Sequence, residues 1–260
     1  PYREAGVCYV TTDRAGYGRS DRHHGRSVAS EAADICELAD ALGIDTFAVT
    51  GGSGGGPHAL ACAALLADRV VRAACFVGVA PFGPSGLDRD RWLDGMDPEN
   101  LTEHHWAEAG EHTLTRELHR VQLEMEAQAQ VDPAELFGNA QLSEPDREFM
   151  RRPEVVLALG RAVKEQAAHG VGGWVDDVLA FIRPWGFDVR DIRVPTLVSY
   201  STNDTFTPPA HGEWLAANVP GCVTQITGTG HMPTDPVAEI AEQMAWLQNG
   251  LVPPAASTDA

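Results

Sequence analysis

The chain has 260 residues, 43% of them hydrophobic, enough for one large domain or one domain with an inserted lid. It carries 19 basic against 37 acidic residues, a formal net charge of −18. Such a surface repels phosphate backbones and anionic membranes, which argues against nucleic acid or membrane as a partner.

In chain order, "VCYVTT" (7–12) is a β-type run, and "AGYGRSD" after it is turn chemistry. Over 27–42 the residues Val28, Ala32, Ile35, Leu38 and Leu42 fall on one helical face, with Ser27 as N-cap and Gly43 as stop. "TFAVT" (46–50) is the next strand, followed by a glycine cluster and a helix over about 55–68. Further strands are expected at 73–79, 195–200 and 223–227, with helices near 211–218 and 236–247. Asp235 is the natural N-cap of the last helix, with Pro236 in its first turn. Apolar strands alternating with helices predict an α/β fold: a mostly parallel sheet with helices on both faces. Residues 83–190 break the rhythm. They are helical in pattern and richer in charge, with Trp92, Trp106, Trp174 and Trp185, and are expected to form an inserted helical lid over the C-terminal ends of the strands. The core is then 1–82 with 191–250, and 251–260 is expected to be a disordered tail.

The five cysteines, Cys8, Cys36, Cys62, Cys75 and Cys222, show no metal-type spacing and fit buried free thiols in a reducing compartment. The longest wholly apolar run, 59–67, is too short to span a bilayer, and no basic-then-apolar leader opens the chain. A cytoplasmic protein is expected.

The glycine cluster "VTGGSGGGPHALACAALLA" (49–67) admits three readings. A linker joins independent units and is polar on both sides, whereas here an apolar strand enters and an apolar helix leaves. A phosphate loop needs the lysine of GxxxxGK[ST], but the next cation is Arg69; a dinucleotide fingerprint needs glycine at 57, which is Pro57. The third reading is G-x-S-x-G: Gly51, Ser53 and Gly55, a serine on a strained strand–turn–helix elbow. The N–H of Gly54, at the positive end of the following helix, would then stabilise an oxyanion.

A serine nucleophile needs a base and an orienting acid. Of the histidines late in the chain, His211 is expected on a helix surface, and His231 lies in the loop "GTGHMP" after the strand at 223–227. For the acid, Asp204 follows the strand at 195–200 directly; Asp235 is the rival, already used as an N-cap. The candidate triad is Ser53, Asp204 and His231.

With these residues in place, the chain resembles the α/β-hydrolase fold superfamily. "DRAGYGRSD" is similar to the D-x-x-G-x-G-x-S stretch after the fourth core strand, and "GGSGGGPHALACAALLADRV" to the nucleophile elbow and its helix. "PTLVSYSTNDTFTPPAHGEWLA" is similar to the acid strand and loop, with Ser201 where glycine is usual, and "GTGHMP" to the histidine loop. The resemblance runs over about 7–248. It implies core strands, and a loop bearing the second oxyanion donor, ahead of Pro1; with the non-Met start, an N-terminally truncated chain is expected.

The resemblance implies a serine hydrolase acting on a small or medium acyl substrate, carboxylesterase-type, with no metal and no cofactor. Lactonase, carbon–carbon hydrolase, aminopeptidase and cofactor-free peroxidase are alternatives on the same fold, and a non-catalytic binding protein is the alternative of another class. Phe82, Trp106 and Trp174 are candidates to line an apolar acyl pocket, against the simpler reading that they pack the lid's own core. His104, His105 and His112 are read as residues of a solvated lid helix rather than a metal site, because catalytic zinc-helix spacing is absent. His23 and His24 are read as solvent-exposed, His58 as packing, and "DRDRWLD" (88–94) as lid surface.

Overall fold

The computed structural model describes residues 6–131, 141–166 and 170–251. Four strands, β1 (Phe47–Gly52), β2 (Val70–Phe76), β3 (Thr196–Ser201) and β4 (Val223–Thr227), form a sheet in the order β1-β2-β3-β4, every pair parallel. Helix α1 (Ser30–Ala41) precedes β1, and α2 (Gly55–Leu65) joins β1 to β2. Between β2 and β3 lie α3 (Arg89–Leu93), α4 (Pro98–Glu108), α5 (Glu111–Val131), α6 (Glu144–Met150), α7 (Pro153–Gln166) and α8 (Gly172–Ile182). Helix α9 (Pro209–Asn218) joins β3 to β4, and α10 (Pro236–Asn249) follows.

Side chains alternate across a strand, so each face of the sheet has its own helices. Ala73, Cys75 and Val198 pack with Leu60 of α2 and Leu215 of α9, while Ala74 and Leu197 pack with Trp246 of α10. Two parallel connections stepping the same way across a sheet put their helices on one face, as α2 and α9 are. The strand β3 is buried along its whole length, as a strand covered on both faces must be.

The expected strand at 7–12 does not form. Among the described residues no ladder joins it to β1, and Tyr9 and Val10 are exposed. A cavity of about 580 Å³, lined by Val10, Thr12, Val49, Leu38 and Leu247 among others, separates this segment from β1. Its β-branched residues suit a strand, but that preference is realised only against a paired neighbour. The first helix also starts later than expected, at Ser30: Ser27 folds into a turn, its N–H donating to Ser30 Oγ at 3.1 Å, and Ala29 occupies the N-cap position. At the other end Asp235 does cap α10, accepting from the N–H groups of Val237 and Ala238. Of the expected disordered tail, all but Leu251 lies outside the described residues. No helix of the described residues is long and apolar enough to cross a membrane.

Candidate active site

The C-terminal ends of parallel strands are where open α/β sheets present their reactive groups. Ser53 follows β1 at once, with φ of +51°. A side-chain-bearing residue in the left-handed region is strained and needs a surround that holds it there. The Ser53 N–H donates to the Phe76 carbonyl at 2.9 Å, and its own carbonyl accepts from Gly56 N–H at 2.9 Å. Close approach requires glycine at two of the turn positions, Gly51 and Gly56, whereas a Cβ at Gly55 would meet nothing within 4 Å and one at Gly52 only the Phe76 carbonyl at 3.9 Å. A Cβ at Gly51 would overlap the Gly55 carbonyl, and one at Gly56 would stand 2.7 Å from Cys75 Sγ and 3.0 Å from Gly78 Cα. Gly54, at the N-cap of α2, makes no backbone hydrogen bond through its N–H among the described residues, so this donor is available to an anion. Phe181 of α8 stands over it: a Cβ at Gly54 would lie 3.1 Å from the Phe181 ring.

Asp204 is buried in the loop after β3. Its Oδ1 accepts from the N–H groups of Phe206 and Thr207, both at 2.9 Å, which fixes the plane of the carboxyl group. Its Oδ2 stands 2.7 Å from Nδ1 of His231, in the loop after β4. The Phe206 ring packs on the imidazole at 5.2 Å between centroids. With Nδ1 committed to a carboxylate, the neutral ring presents Nε2 as the basic nitrogen. The structure therefore joins Asp204 to His231 directly, and Ser53 and His231 are not hydrogen-bonded to each other in this conformation. Ser201, in the place where the resemblance expects glycine, is fully buried and accepts from Asn203 N–H through Oγ.

Several expectations need correction. His211 is fully buried rather than on a helix surface. Its Nδ1 accepts from Ala80 N–H at 3.0 Å, leaving Nε2–H to donate to the Trp92 carbonyl at 2.9 Å. Burial pushes its pKa down to about 4, against the opposing bond to Trp92. His104 is buried between Phe82 and Trp92, not solvated, whereas His105 and His112 are exposed. Trp92, read as lid surface, is buried and donates from Nε1 to the Ala80 carbonyl. His211 and Trp92 each found a main-chain partner from another segment, and His104 a pair of aromatic rings, none of which local pattern shows. The thiols divide: Cys62 and Cys75 are buried, Cys36 and Cys222 half-buried, and Cys8 is exposed, contrary to the expectation of burial. Phe82 packs against the sheet core, and Trp106 and Trp174 pack in a cluster of α4, α5 and α8 around Leu114 and Val175. Burial pushes Glu103, hydrogen-bonded to Trp174, up to about 7. Among the described residues no cluster of three or more His, Cys, Asp or Glu side chains has the arrangement to hold a metal ion.

Two acidic residues were missed entirely. Asp177 of α8 sits in a buried cluster, paired with Arg14, with Arg26 at 2.6 Å and with Tyr17 Oη at 2.9 Å, while His58 Nε2 stands 3.5 Å away. Burial alone would raise the Asp177 carboxyl, but the bond to His58 and the charges of Arg14 and Arg26 outweigh it and hold it well below the usual carboxylate range. Asp146 of α6 accepts from the backbone of the His231 loop. The arginine, tyrosine and histidine partners of Asp177 and the loop amides that Asp146 receives all lie more than 80 positions away, so local pattern does not show them.

The chain belongs to the alpha/beta hydrolase family, whose model matches residues 1–243. No curated protein matches it. Solved structures with a similar fold include an enol-lactonase from Burkholderia xenovorans (19% identity over 89% of this chain and 76% of that one, TM-score 0.57) and a thermophilic esterase from Thermogutta terrifontis (21%, 89% and 78%, TM-score 0.57). A bromoperoxidase from Bacillus anthracis is similar to the same degree (18%, 88% and 76%, TM-score 0.60). At these identities the likeness shows the fold alone.

Proposed function

We propose that this α/β hydrolase is a serine hydrolase of carboxylesterase type, using Ser53, His231 and Asp204 on a small or medium acyl substrate. The observation that carries the reading is the left-handed backbone of Ser53 between β1 and α2, on the same sheet end as the hydrogen-bonded Asp204–His231 pair. Ser53 Oγ attacks the acyl carbon as His231 Nε2 takes its proton. The carbonyl π electrons move onto oxygen, where Gly54 N–H receives the negative charge. Asp204 holds the imidazole in the required tautomer and stabilises the imidazolium. The tetrahedral centre collapses, the C–O bond breaks, and His231 returns the proton to the leaving alcohol. Water repeats the sequence on the acyl-enzyme: His231 removes a proton from water, the acid departs, and Ser53 regains its proton. The −18 net charge disfavours polyanionic substrates, and Phe181 above Gly54 supplies an apolar wall for an acyl chain.

Intact-mass labelling with a fluorophosphonate tests the reading. One adduct on the chain and none on Ser53→Ala is the expected result. Equal labelling of both, or none on either while acyl esters are not turned over, overturns it.

A further inference from the structure

We propose that Asp146, carried by α6, is a positioning residue for His231. The inference rests on the hydrolase reading, since it concerns the base of that site. The loop 228–235 between β4 and α10 has no regular structure to set its path. Its position is set from outside. Asp146 Oδ2 accepts from His231 N–H at 3.0 Å, and Oδ1 accepts from Met232 N–H at 2.7 Å. Asp146 is fully buried, and among the described residues no cationic side chain pairs with it. A buried carboxylate without a counter-charge is costly unless donors surround it. Here those donors are the two loop amides and Ser143 Oγ, at 2.8 Å. Bonds to an ionised acceptor are among the stronger hydrogen bonds, so the loop is held firmly.

The local sequence makes this use unusual. In "SEPD" Ser143 caps α6 by accepting from Asp146 N–H, and Asp146 stands at the third helical position. In a capping box the side chain at that position, Glu or Gln, turns back to the N–H of the N-cap residue. Asp146 instead gives both oxygens to a loop 85 positions away. Gly230 completes the fit, because a Cβ there would overlap Asp146 and Ser143. The same stretch of chain also holds the acid's loop. Thr205 Oγ1 donates to the Gln141 carbonyl at 3.0 Å, Gln141 N–H donates to Asp97 Oδ2 at 2.6 Å, and Asp97 N–H donates to the Thr205 carbonyl at 2.7 Å. Arg152 donates to the Thr234 carbonyl at 2.5 Å. Segment 141–152 thus grips the loops of Asp204 and His231 together, and Asp146 is its contact nearest the imidazole.

The test compares the wild type with Asp146→Asn and Asp146→Ala, using p-nitrophenyl butyrate turnover and hydrogen exchange by mass spectrometry. Asn keeps the shape and one acceptor oxygen, which guards against a variant that merely fails to fold. The expected result is kcat lower by about 100-fold for Ala and by about tenfold for Asn, with KM within about twofold, because misplacing a catalytic group by an ångström has effects of that order. Exchange of peptides covering 229–234 should be about tenfold faster in both variants, while peptides of β3 are unchanged. A kcat within twofold of wild type for the folded Asn variant, or unchanged exchange at 229–234, overturns the role of Asp146. Absence of turnover in the wild type instead overturns the hydrolase reading, and the exchange of 229–234 then still shows whether Asp146 holds the loop.

Discussion

Asp204 and His231 face each other across 2.7 Å, and the second oxygen of Asp204 is already engaged by the amides of Phe206 and Thr207. The carboxyl group therefore has one free direction, and the imidazole occupies it. Asp204→Asn preserves size but presents an NH₂ group or a weaker acceptor to Nδ1, which favours the wrong tautomer. We expect kcat to fall by about 10⁴-fold with the protein folded. Steady-state ester hydrolysis measures this, and a fall of less than tenfold would remove Asp204 from the role of orienting acid.

The Asp177 cluster joins α8 to the segment ahead of α1 that carries Arg14, Tyr17 and Arg26. Arg26 is almost wholly buried, and removing its counter-charge leaves an unpaired cation inside the protein. Asp177→Ala is expected to lower unfolding free energy by about 3–5 kcal/mol. Urea denaturation of the variant and wild type measures it. A change under about 1 kcal/mol would mean that water reaches the arginines when Asp177 is gone.

The same cluster sets an acid limit on stability. The folded-state pKa of Asp177 is depressed below its ordinary value of 3.8. A carboxyl of this kind contributes its full stabilisation above the ordinary value, and loses it as pH falls through the lower, folded value. Stability of the wild type should therefore decline on acidification below about pH 4, where the unfolded chain binds the proton first. Asp177→Asn lacks this proton uptake, so its stability is lower at pH 6 and its decline below pH 4 shallower. Denaturation midpoints taken from pH 6 to pH 3 check the sign. Parallel curves for the two proteins would contradict it.

How much of this was legible in the sequence depended on whether the cause was local. The strands β1 to β4 could be read because each is an apolar run bounded by turns, and Ser53, Asp204 and His231 could be placed at their ends because each follows a strand within a few residues. The segment 7–12 has the same local character, but a strand also needs a neighbour, and a neighbour is not a property of six residues. His211 and His104 were misjudged for a related reason. Imidazole is polar when counted by composition, yet it packs as core once the Trp92 carbonyl or an aromatic cluster receives it. Asp146 and Asp177 lie within 83–190, a stretch that could be read only as helical in pattern and richer in charge. What makes them functional candidates is the approach of loops from the far end of the chain, and nothing in helical periodicity encodes that approach.

The cysteines should differ sharply in reactivity. Burial pushes the thiols of Cys62 and Cys75 up to about 12, so almost none of either is thiolate at neutral pH, whereas Cys8 is exposed. Iodoacetamide at pH 8 should therefore modify Cys8 first, and Cys62 and Cys75 only after unfolding. Peptide mapping over a time course decides this. Early labelling of Cys75 would show that the core beneath the elbow opens readily.

Cys75 also limits the elbow sterically, which a double-mutant cycle can expose. A methyl group at Gly56 meets Cys75 Sγ at 2.7 Å and the Gly78 backbone at 3.0 Å. The sulfur belongs to a fully buried residue of β2, so neither side can withdraw cheaply. Gly56→Ala should cost about 1–3 kcal/mol by overpacking and should lower fluorophosphonate labelling, because Gly56 N–H is the donor that closes the turn on the Ser53 carbonyl. Removing the sulfur with Cys75→Ala should restore part of this, giving a coupling of about 1 kcal/mol between the two positions. The restoration should be incomplete, since the Gly78 backbone remains in place. Additive effects of the two substitutions, measured by urea denaturation, would show that α2 moves away from β2 to make room and that the close approach at Gly56 is not what holds Ser53 in its left-handed conformation.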